Sequence, residues 1–144
     1  MKSFDKLLDE TRIVAAIGNV ELKATAEVRV HVEKSCPTDV MDGAADFFAN
    51  LHMHQTRYRN GVLIYIAYKD HKFAIIGDVG INDKVGPDFW EQEQKLLTNH
   101  FRKAEFTEGI CKTIEKIGTE LQKYFPYEAG DVNELPDDIS YGDQ

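Results

Sequence analysis

The side chains in this sequence best equipped for chemistry carry oxygen and lie far apart: Glu27, Asp78, Asn82, Asp83 and Asp88, with Asn60 as a further acceptor. A hard divalent cation such as Ca2+ takes about six to eight oxygen ligands, and separate segments and loop carbonyls can supply them together. Arg57 and Arg59 stand just before Asn60, and a guanidinium fork suits a phosphate or a carboxylate. Acids holding a cation, with an arginine steadying a phosphate beside it, would make a metal-assisted phosphoryl site. The competing account is structural. Asp78 and Asn82 would bond loop amides, Asp88 would favour a helix N-terminus, Glu27 would be hydrated, and the arginines would pair with nearby acids.

Other chemistries lack their residues. Gly77 and Gly80 form neither a dinucleotide fingerprint nor a Walker loop. Cys36 is followed by PTDVMD and Cys111 by KTIEKI, so neither precedes the arginine of a cysteine-dependent phosphatase. No GxSxG elbow or HExxH helix occurs. Counting an EF-hand loop from Asp78 puts Phe89 where the bidentate Glu belongs. His52 and His54 are two apart and would diverge on a helix, which reads as surface histidines rather than a zinc site. Phe89, Trp90 and Phe101 could line a pocket, but packing is the simpler role.

What must position the oxygen donors is read from the apolar pattern. In RNGVLIYIAYKDHKFAIIGDVGIND, from Arg59 to Asp83, the runs Val62 to Tyr68 and Phe73 to Ile76 flank the turn-prone Lys69 to Lys72, the pattern of an antiparallel hairpin. Its outer ends meet, so Arg59 and Asn60 should lie beside Gly77 and Asp78, with Asn82 and Asp83 a short loop away. Ile13, Ala16, Ile17, Val20 and Ala24 mark one face of a helix from about Asp9 to Lys23. Val28, Val30 and Val32 alternate with Glu27, Arg29, His31 and Glu33, a strand whose polar face suggests a sheet edge. Pro37, Thr38 and Asp39 supply a start signal for a second amphipathic helix marked by Val40, Ala44, Phe47, Phe48 and Leu51. A strand, helix and strand of this length favour parallel pairing of Glu27–Glu33 with Val62–Tyr68. Pro87 opens a helix carrying Trp90, Leu97 and Phe101, and Thr107 is expected to cap another with Ile110, Ile114, Ile117 and Leu121. The fold class is α/β, helices packed around a small mixed sheet in the order α-β-α-β-β-α-α. Glu27, Asn60 and Asp78 converge at one edge of it.

The chain's 144 residues allow one domain, over residues 1–126. Residues 127–144, with Glu128, Asp131, Glu134, Asp137, Asp138 and Asp143 and no basic residue, read as an acidic tail, partly ordered or mobile. Tyr127, Leu135, Ile139 and Tyr141 could pin part of it. A net charge of −8 argues against nucleic acid or an anionic membrane as partner. No segment approaches the roughly eighteen apolar residues of a membrane span, and the N-terminus meets charge at once. A soluble cytoplasmic protein with both cysteines reduced is expected.

Several segments in order, EVRVHV, LxMxxTxxRNGVLIYIA, IIGDVGIN and FRKAEFTEGI, resemble the TPM-domain family from about Ile13 to Phe125, and NELPDDI resembles the tail of its small soluble members. The resemblance implies an α/β sandwich, a calcium-binding acidic cleft and phosphomonoester hydrolysis, since a thylakoid-lumen relative has acid phosphatase activity. It places the implied positions at Glu27, Asn60, Asp78 and Asn82; Asp83 and Asp88 are added by proximity. Many anchored members carry a GYGLE-like stretch where this chain has GDVGIN. Two readings follow. One is a binding or regulatory module for Ca2+, or Mg2+, with a protein partner. The other is a metal-dependent acid phosphatase in which Asp78 and Arg59 serve catalysis on a phosphorylated ligand.

Overall fold

The computed structural model describes residues 7–128 and 139–142. Among them, five α-helices surround a four-stranded mixed sheet: α1 Glu10–Lys23, β1 Glu27–Glu33, α2 Val40–Asn50, β2 Gly61–Ala67, β3 Lys72–Gly77, α3 Val79–Val85, α4 Pro87–Arg102, α5 Phe106–Tyr124 and β4 Ile139–Tyr141. The strand order is β3-β2-β1-β4. β1 and β2 pair in parallel from Glu27 opposite Gly61 to Glu33 opposite Ala67. β2 and β3 form the expected antiparallel hairpin, turned by a 3-10 segment at Tyr68–Asp70 and His71 in the left-handed region.

All seven residues of β2 are buried, as a central strand covered on both faces requires. Side chains alternate across a strand. Val62, Ile64 and Ile66 therefore join Val28, Val30 and Val32 of β1 under α1, α4 and α5. Leu63, Tyr65 and Ala67 face the other way, against Ala44 and Phe48 of α2 and Met53. The α5 stripe of Ile110, Ile114, Ile117 and Leu121 is wholly inaccessible to solvent.

Three expectations are corrected. β1 is interior, because Ile139–Tyr141 pairs with Val30–Val32 in parallel on its far side. Its polar face is tolerated because partners are supplied: His31, 1% exposed, stacks on Phe47 at 3.5 Å and bonds Glu33 and Ser140, each at 2.7 Å. Residues 79–85 are a helix rather than a loop, started by Asp78, whose carboxylate accepts the Val79 amide. Glu105, not Thr107, occupies the N-cap of α5. The Thr107 hydroxyl instead accepts the Asp9 amide at 3.0 Å, and Arg12 pairs with Glu108 at 2.8 Å, so both contacts fasten α1 to α5. Asp39 and Pro87 open α2 and α4 as expected.

Of the C-terminal segment, Ile139 and Tyr141 are held in β4, and the Tyr141 hydroxyl donates to Glu10 at 2.6 Å. Asp131, Glu134, Leu135, Asp137, Asp138 and Asp143 lie outside the described residues. Both cysteines are free and buried. No helix among the described residues is long and apolar enough to cross a membrane.

Candidate functional site

The edge built by the start of β1, the start of β2 and the end of β3 gathers three polar side chains that are almost fully buried: Glu27 at 4%, Asn60 at 2% and Asp78 at 6% exposure. Backbone register brings them together. Glu27 lies opposite Gly61, and the Asp78 amide donates to the Gly61 carbonyl at 2.9 Å.

Asp78 is engaged through both carboxylate oxygens. One carboxylate oxygen accepts the Val79 amide at 2.7 Å and Arg59 Nη2 at 2.9 Å; the other accepts Arg59 Nε at 2.7 Å. This is a two-pronged guanidinium–carboxylate pair. The carboxylate beside it raises the Arg59 pKa further above the ordinary arginine value. Arg59 adopts a positive φ of 53°, and its carbonyl accepts the Gly80 amide at 2.8 Å. Gly80 makes this approach possible: a Cβ there would fall 2.0 Å from the Tyr58 carbonyl oxygen and 2.6 Å from that of Arg59. Helix α3 and the Tyr58–Arg59 turn thus lock Asp78 from both sides.

Asn60 is fixed by its own contacts. Its side-chain amide nitrogen donates to the Thr25 carbonyl and its backbone amide to the Thr56 hydroxyl. With the nitrogen tied to a carbonyl, the amide oxygen is the end directed away, and it is the end a cation would use. Thr25 in turn receives the Glu128 amide at 3.2 Å, donates its hydroxyl to the Pro126 carbonyl, and bonds Phe125 through its backbone.

Asn82 is occupied differently. Its amide nitrogen donates to the Gly77 carbonyl and its oxygen accepts Trp90 Nε1, each at 2.8 Å, which staples α3 to β3 and α4. Asp83 on α3 and Asp88 in the first turn of α4 are exposed. Among the described residues no group of three or more His, Cys, Asp and Glu side chains is placed to hold a metal ion. The buried donors are therefore two carboxylates and one amide, a hard-oxygen set whose chemistry fits Ca2+ or Mg2+ when backbone carbonyls and water complete it. Arg57 pairs with Glu128 at 3.5 Å, so both arginines have acidic neighbours. His52 and His54 are exposed, with ring centroids 6.2 Å apart. Phe89 and Trp90 pack edge to face at 5.0 Å.

Sequence reasoning missed Glu128 as part of this edge. Its carboxylate accepts the Tyr58 hydroxyl at 2.8 Å across 70 residues, a contact with no local signal. It also missed two buried titratable groups elsewhere. The His31 ring is held below the ordinary histidine pKa, chiefly by burial, with Glu33 opposing. Glu33 can only accept, so Nε2 carries the proton and Nδ1 accepts the Ser140 hydroxyl. Glu93 on α4 is 3% exposed. Burial pushes its carboxyl up to about 7 against the pull of Lys116, with Glu120 adding to the rise.

Comparisons with known proteins agree with this architecture. The model for the TPM domain matches residues 4–120. The NMR structure of the BA42 protein from the psychrophilic bacterium Bizionia argentinensis is similar at 43% identity and a TM-score of 0.90, covering 99% of this chain and 100% of that one. The N-terminal domain of the cg2496 protein from Corynebacterium glutamicum shares the fold at 14% identity and a TM-score of 0.62, over 84% of this chain and 74% of that one. No curated protein matches the sequence. A family match over most of the length, joined to the sheet and helix order described above, places this chain in the TPM domain family.

Proposed function

We propose that the domain is a binding or regulatory module that holds a divalent cation, Ca2+ or Mg2+, at the sheet edge where Glu27, Asn60 and Asp78 meet. One observation carries this reading: two carboxylates, 4% and 6% exposed, lie at one edge of the sheet on either side of Gly61 of β2, and one of them already holds a cation in the form of the Arg59 guanidinium. Burying a carboxylate is costly unless positive charge and hydrogen bonds compensate. Arg59, with its side chain 48% exposed, is free to swing outward when an ion replaces it. Asp83 and Asp88 lie outside the buried trio and contribute to affinity through longer-range attraction.

A second reading, metal-dependent phosphatase, draws on the same pair. An arginine released from Asp78 presents its fork to a phosphate, and a bound cation would supply Lewis-acid polarisation of a phosphoryl oxygen. The test is a CaCl2 and MgCl2 titration of the 15N-labelled protein. Shifts are expected at Glu27, Arg59 to Gly61 and Asp78 to Gly80, with a rise in Tm that Asp78→Asn removes. Signals at those positions that ignore both ions would overturn cation binding. Turnover of p-nitrophenyl phosphate that appears with metal and vanishes with chelator selects the enzyme over the module.

A further inference from the structure

The opposite edge of the sheet, where β1 and β2 end and β3 begins, has a different chemistry. A groove of about 1190 Å³ opens there between the hairpin turn, α4 and the chain following β1. Five basic side chains line it, Lys34, Lys69, His71, Lys72 and Arg102, and no aspartate or glutamate does. Such a lining runs against the composition of a chain with 25 acidic and 17 basic residues. Asp70, the acid of the turn, is taken up by the Cys36 amide at 2.7 Å. Among the described residues none of the five bases forms an ion pair. A side-chain contact with Lys34, and then the repulsion between the two like charges, lower the Lys69 pKa.

The floor between these cations is apolar. Phe73 and Phe101 meet edge to face at 5.4 Å, and Phe101 and Phe106 at 5.2 Å. Val40 and Ile66 extend that surface.

We propose that this groove docks an extended acidic peptide segment of a partner protein, its carboxylates on the basic rim and an aromatic or aliphatic side chain on the phenylalanine floor. Charge placement favours a peptide. The cations come from three separate segments, after β1, in the hairpin turn and at the end of α4, so they match several anionic groups spaced along a chain. A fatty carboxylate would answer one of the four Lys and Arg charges and leave three. A nucleic acid duplex would bring one phosphate about every 1.7 Å, a denser charge than these separated cations answer. The groove also exceeds the roughly 300–1,000 Å³ typical of small-molecule sites.

The experiment titrates the intact 15N-labelled protein with a short synthetic peptide in which Asp and Glu alternate with Phe and Leu. Chelator is present throughout, so the outcome is independent of cation binding at the other edge. Shifts are expected to concentrate on Lys34, Lys69 to Phe73, Phe101 and Arg102, and affinity should fall as salt rises. A Lys69→Glu, Lys72→Glu double variant, at exposed positions and checked for an unchanged Tm, should bind about tenfold more weakly or worse. Equal binding of a peptide with Lys in place of the acids would overturn the proposal. So would shifts that avoid the groove, an unimpaired double variant, or groove shifts produced by dodecanoate or an oligonucleotide while the acidic peptide produces none.

Discussion

Replacing Glu93 with glutamine should stabilise the protein at alkaline pH and leave it nearly unchanged at pH 4.5. Glu93 is 3% exposed, one of its carboxylate oxygens has no hydrogen-bond partner among the described residues, and its carboxyl titrates at about 7 against an ordinary 4.5. The native state therefore keeps the proton through a window in which the unfolded chain has already released it. Between pH 4.5 and about 7 the native state binds more protons, so stability falls as pH rises and stays lower above that window. A raised pKa of this size sets a ceiling of roughly 3 kcal/mol, and relaxation around the charge lowers it, so about 1–3 kcal/mol is expected. Glutamine matches the shape without the ionisation. Thermal unfolding of both proteins from pH 4.5 to 8.5 should show a Tm difference opening with pH, reaching about 4–12 °C at the alkaline end. Taking the difference between proteins cancels other titrations, including that of His31. A gain of equal size at every pH, or no gain at pH 8.5, would refute the claim that burial of the charged form is the cause.

Gly80→Ala should be among the most damaging small substitutions, because its Cβ would meet two backbone carbonyl oxygens that cannot yield as a side chain can; a loss of about 2–4 kcal/mol is expected by chemical denaturation. Asp78→Ala removes the cap of α3 at about 1 kcal/mol as well as the partner of Arg59, whereas Asp78→Asn keeps an acceptor for the Val79 amide; denaturant midpoints in the order wild type, Asn, Ala test this. The His31 ring is depressed below 6.5 in the native state, so its contribution is fully present above pH 6.5 and declines as pH falls below it. Amide exchange at Ile139 to Gly142, corrected for intrinsic rates, should show protection dropping from pH 7.5 to pH 5. Protection that stays flat would separate His31 from the hold on β4.

The hairpin, the parallel pairing and the helical stripes were legible because each rests on local periodicity: an unbroken apolar run for β2, and three- and four-residue spacing for α5. The placement of Glu27, Asn60 and Asp78 at one edge of the sheet followed from topology alone. What escaped was non-local or compensated. The polar face of β1 reads as a sheet edge because alternation reports residue type, not whether Ser140, 109 residues away, supplies a partner to His31. Helix α3 was hidden in VGINDKV, too short for a stripe, with Gly80 and Asn82 reading as loop residues. Yet Gly80 is there for the close approach to Arg59, and Asn82 to bridge strand and helix. Thr107 has the composition of a cap but serves the neighbouring helix.

The strand that closes the outer side of β1 is only three residues long and is synthesised more than a hundred residues after the strand it covers. During translation β1 must therefore wait with its outer backbone groups exposed while everything between is made. A waiting edge invites pairing with another nascent chain, and charged side chains are the usual deterrent. Glu27, Arg29 and Glu33 place charge on that waiting strand, the feature that disfavours such pairing, until Ile139–Tyr141 emerges and docks.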